Sequence, residues 1–114
     1  MKNKHIKIVM WDYGGVLTNS PIRKFHQFEV KFGLPANTII NINTFNKYNN
    51  AWAKLEKNLI SLEEFSDLFN MEAKLLGIEN INTNELLDCL HLELKKDMVE
   101  LLKLIAKNYI CVCL

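Results

Sequence analysis

The chain has 114 residues, 49% hydrophobic and 24% charged, the proportions of one folded domain and not of a disordered tail. Its 14 basic and 13 acidic residues leave a formal charge of +1, so neither nucleic acid nor an anionic membrane is expected as a partner. Apolar runs stop well short of the roughly 18–20 residues that span a bilayer. The short run behind Lys2, Lys4 and Lys7 is likewise too brief for a signal peptide. Cys89, Cys111 and Cys113 follow no framework spacing and read as free thiols of a reducing compartment, so the expected location is cytoplasmic. Arg23 is the only arginine while Asn, Ile and Lys abound, a bias of AT-rich coding, so Asn-rich stretches are not taken for loops by default.

The first predicted element is a strand over residues 6–11, apolar without alternation and therefore expected to be buried on both faces. It ends at Asp12 and runs into Gly14-Gly15. Ser20 then offers an N-cap with Pro21 at the first helical position, and Ile22, Phe25, Phe28 and Phe32 form a helical stripe closed by Gly33. A second helix begins near Ala36, and the Asn-rich stretch to Asn50 stays ambiguous. Ala51, Trp52 and Leu55 predict another short helix. Ser61 and Glu64 have capping-box spacing, opening a helix whose expected apolar face is Leu62, Phe65, Leu68, Phe69, Leu75 and Leu76. After Gly77, Asn82 and Glu85 open a helix carrying Leu86, Leu87 and Leu90. Asp97 as cap and Glu100 as box residue predict the last helix, with Met98, Leu101, Leu102 and Ile105 as its stripe and Asn108 as its stop. Residues 110–114 read as a second buried strand.

Two parallel strands separated by so long a helical block do not form an ordinary crossover. The economical reading is an α/β fold, mostly helical by residue count, with residues 1–19 and 94–114 as a partial core and residues 20–93 as a helical insertion. Asp12 then falls at the carboxyl end of a parallel strand, where open α/β sheets place their ligands. The glycines after it allow a sharp turn and close backbone approach to a phosphate or metal.

The string Asp12-Tyr13-Gly14-Gly15-Val16-Leu17-Thr18 after an apolar strand resembles the first motif of the haloacid-dehalogenase-like (HAD) hydrolases. It is most similar to the helical-cap branch that includes the N-terminal phosphatase domains of epoxide-hydrolase type. Ser20-Pro21 through Phe32-Gly33-Leu34-Pro35, residues 51–56 and residues 60–65 resemble that branch's cap, and residues 97–114 resemble the helix and strand leading to its second motif. The resemblance implies a Rossmann-like parallel core with an inserted α-helical cap, here incomplete. It implies that Asp12 is the catalytic nucleophile and a Mg²⁺ ligand, that the Gly14 backbone carbonyl is a second ligand, and that the substrate is a small phosphorylated metabolite. In most phosphatases of the family the position of Gly14 is a second Asp acting as general acid and base, help worth about 10²–10⁴ in rate. Leu114 falls just short of the family's second motif, and the third and fourth lie beyond it. The expectation is therefore a fragment that is inactive alone. Alternatives are a metal-independent dehalogenase, which also lacks the second Asp, and a non-catalytic remnant or helical interaction module.

Other residues carry plainer readings. Trp52 is assigned to cap packing before substrate contact, and the Phe25, Phe28 and Phe32 stripe to packing. His5, His26 and His91 lack metal-ligand spacing. Cys111 and Cys113 are expected on opposite faces of their strand, hence neither a metal clip nor a redox pair. Gly14-Gly15 is neither a dinucleotide fingerprint nor a P-loop.

Overall fold

β1, Ile8–Trp11, pairs in parallel with β2, Ile110–Cys113, in the register Ile8 with Ile110 through Trp11 with Cys113. The computed structural model describes residues 5–114, so the Lys2 and Lys4 stretch and the start of the expected core segment lie outside the described residues. The parallel pairing is as predicted. Burial on both faces is not: Ile8, Met10 and Ile110 are 57%, 64% and 62% exposed, and Trp11 alone in either strand is fully buried. The pairing puts Ile8, Met10, Ile110 and Val112 on one face, and all four are exposed. Cys111 and Cys113 share the opposite face with Val9 and Trp11. The expectation that they diverge fails on strand geometry, because residues two apart point the same way.

Contacts divide the chain into two compact units. One consists of the described residues up to Ile22 together with His91–Leu114, and the other of Arg23–Leu90. The molecule is thus mostly helical with a small parallel sheet, compatible with an α/β class.

In the helical unit α1, Ile22–Lys31, ends as Gly33 turns left-handed (φ 64°), and Leu34 N–H reaches back to Glu29 O at 2.8 Å. α2, Thr38–Thr44, lies in the Asn-rich stretch, and α3, Ala51–Glu56, follows it where Ala51, Trp52 and Leu55 predict a short helix. Asn37, Asn46, Asn58 and Asn80 adopt positive φ, the turning role more often given to glycine. Asn50 is buried and caps α3 by accepting from Ala53 N–H at 2.9 Å, while its amide donates to Asn43 O (2.8 Å) and Phe45 O (3.1 Å). α4, Leu62–Leu75, starts under the Ser61 cap, as the capping signal predicts, with Ser61 Oγ accepting from Glu64 N–H at 3.1 Å.

The buried face of α4 is Phe65, Phe69 and Ala73, with Leu62, Leu75 and Leu76 left exposed. Leu75 lies about 120° around the helix from Phe69, Leu76 is past the helix end, and Leu62 stands at its first position, at the rim of the core. α5, Thr83–Asp88, is capped by Asn82, which accepts from Glu85 N–H at 3.2 Å. Phe25, Phe28, Ile39, Ile42, Phe65, Phe69 and Leu86 close the core of this unit. Trp52 packs edge-on against Phe25 and Phe65, with centroids at 6.0 and 5.7 Å.

α6, Lys96–Ile105, belongs to the other unit and begins before the predicted Asp97 cap; its first position follows Lys95, and no side chain caps it. The reason is tertiary. Lys95 N–H is held by Leu17 O at 2.7 Å, and Thr18 forms an antiparallel bridge with Leu94, so the chain enters the helix already fixed. Asp97 then sits in the first turn, where a carboxylate complements the helix dipole. No residue of α6 is buried. Among the described residues, no helix is long and apolar enough to cross a membrane.

Candidate functional site

Asp12 follows the last residue of β1 in an extended conformation (φ −76°, ψ 141°). It is exposed, and its side chain does not cap the turn that follows. Its carboxylate is therefore presented at the carboxyl edge of the sheet, where β2 ends too.

The turn is a single wide one over Tyr13–Leu17, closed by Thr18 N–H donating to Tyr13 O five residues back, at 3.2 Å. Inside it Gly14 (φ −69°, ψ 123°) and Gly15 (φ 81°, ψ −8°) have the dihedrals of the two central residues of a type II turn. Gly15 alone needs the left-handed conformation. A Cβ built on Gly14 meets nothing within 4 Å, so its lack of a side chain is not forced by packing.

Thr18 holds this turn, a role the sequence reading did not assign although Thr18 closes the motif. It is 1% exposed, and its Oγ1 accepts from Gly15 N–H at 3.2 Å and donates toward Asn19 O (3.0 Å) and Tyr13 O (3.4 Å). The segment across from it locks the same loop. Asn19 N–H donates to Glu93 O at 3.0 Å, and Glu93 N–H returns to Asn19 Oδ1 at 2.9 Å. Asp12 thus stands on a strand end with a turn pinned from two sides.

Mg²⁺, which the resemblance implies, takes six oxygens in near-ideal octahedral geometry, commonly one or two carboxylates with several waters. The donors at this edge are the Asp12 carboxylate and the Gly14 carbonyl. Among the described residues no group of three or more His, Cys, Asp or Glu could hold a metal. Trp11 Nε1, buried without a hydrogen-bond partner among the described residues and next to Asp12 in the chain, is a donor and cannot serve a cation. The oxygens are of the right kind, and two protein donors would leave the other positions of an octahedral ion to water or to substrate oxygens.

Cys89 is poorly suited to act as a nucleophile. Burial pushes the Cys89 thiol above its ordinary range, against a smaller opposing pull from Lys24, so thiolate is scarce there. A groove of about 490 Å³ in the helical unit lies among Pro35, Thr38, Asn41, Phe45, Leu76 and Ile78. The Thr38 hydroxyl is engaged with a backbone carbonyl, and none of these six side chains is ionisable. No family model matches this chain, and no curated protein matches it.

Proposed function

We propose that this chain carries the nucleophile-bearing first strand and the helical cap of a HAD-like hydrolase acting on a small phosphate ester. The supporting observation is Asp12, exposed at the carboxyl edge of a parallel strand pair and followed by a pinned glycine turn. In this reading an Asp12 carboxylate oxygen attacks phosphorus in line. The oxygen–phosphorus bond forms as the bond to the leaving oxygen breaks, and water then hydrolyses the aspartyl-phosphate to return Asp12 and inorganic phosphate. Residues 20–93 take the part of the cap.

Gly14 supplies no proton to the leaving oxygen, which favours esters of good leaving groups and makes an acyl phosphate, a mixed anhydride whose carboxylate departs unprotonated, a suitable probe of the same attack by Asp12. Mg²⁺ remains part of the proposal by resemblance alone, and no step is assigned to it. Without further ligands for the phosphoryl oxygens the 114 residues are expected to show no multiple-turnover hydrolysis, since such electrostatic support is often worth several kcal/mol.

The test is covalent capture. Acetyl phosphate, with and without Mg²⁺, is expected to leave a phosphoryl group on Asp12, found by peptide mass spectrometry and absent in Asp12→Asn. A label elsewhere, one that survives Asp12→Asn, or none at all overturns the proposal. A metal-independent adduct from a 2-haloacid, also Asp12-dependent, replaces it with the dehalogenase reading, in which Asp12 attacks carbon and halide leaves.

A further inference from the structure

We draw no further inference here: the strongest candidate, the exposed apolar face of the two-stranded sheet formed by Ile8, Met10, Ile110 and Val112, carries none because nothing in the structure shows what covers it.

Discussion

Gly14 and Gly15 are adjacent and opposite in what they tolerate. Gly14 has dihedrals open to any L-residue and free space around its missing Cβ, so Gly14→Asp is expected to fold with stability unchanged or raised by about 0.4–1 kcal/mol. Gly15→Ala forces a side chain into φ 81° and is expected to cost roughly 1–2 kcal/mol. Denaturant melts of the two variants separate these outcomes, and equal losses would mean the turn is not as described. Glu29 matters in the same local way. It is 2% exposed, and its two carboxylate oxygens accept from Asn37 N–H and Ile39 N–H, each at 2.9 Å, capping α2 from a neighbouring helix. Glu29→Ala strands two donors and is expected to cost about 3 kcal/mol, with Glu29→Gln costing less because one acceptor survives. Nothing in the spacing of Glu29 marked it as buried, because only the fold brings the α2 N-terminus to it.

At the level of elements, the helical unit is stitched by side chains that cap helices other than their own. Glu72 on α4 accepts from Ala51 N–H, the first residue of α3, at 2.7 Å. Burial raises its pKa above the ordinary 4.5, outweighing the Ala51 hydrogen bond and Lys54, which both lower it. A raised carboxylate pKa means that the folded state binds the proton more tightly than the unfolded chain does. The contribution of Glu72 is then greatest below pH 4.5 and declines as pH rises through the folded value. Glu72→Gln is expected to flatten that decline in a stability–pH profile. A wild-type profile rising over the same window, with no change in the variant, would contradict the sign. The caps at Ser61 and Asn82 were legible because their partners lie three residues on. The start of α6 was not, since Leu17 and Thr18 fix it from far along the chain.

The whole chain distributes its burial unequally. The hydrophobic core belongs to Arg23–Leu90, while α6 buries no residue and the sheet leaves one apolar face to solvent. Residues 23–90 made alone are therefore expected to keep their helical signal and melt cooperatively. The full chain is expected to self-associate through its open strands, as unprotected edges and exposed apolar faces do. Met10→Lys with Ile110→Lys is expected to shift sedimentation toward monomer without loss of helix. A monodisperse full chain, or an unfolded helical segment, would show that stability is shared differently.

The sequence by itself determined what depends on neighbours within a few residues. Strand-forming apolar runs, the Ser61 and Asn82 caps, the glycine that stops α1 and the acid–glycine motif after β1 are all local, because propensity, capping and turn chemistry act over a single turn of chain. It also placed Asp12 at the carboxyl end of β1. Tertiary structure decided the rest: that β1 is open on one face, that Thr18 and the 93–95 segment pin the loop beside Asp12, that Glu29 is buried, and that Phe65, Phe69 and Ala73 are the inward face of α4. Burial and long-range hydrogen bonds are set by what packs opposite, and a residue's own sequence neighbours do not contain that information.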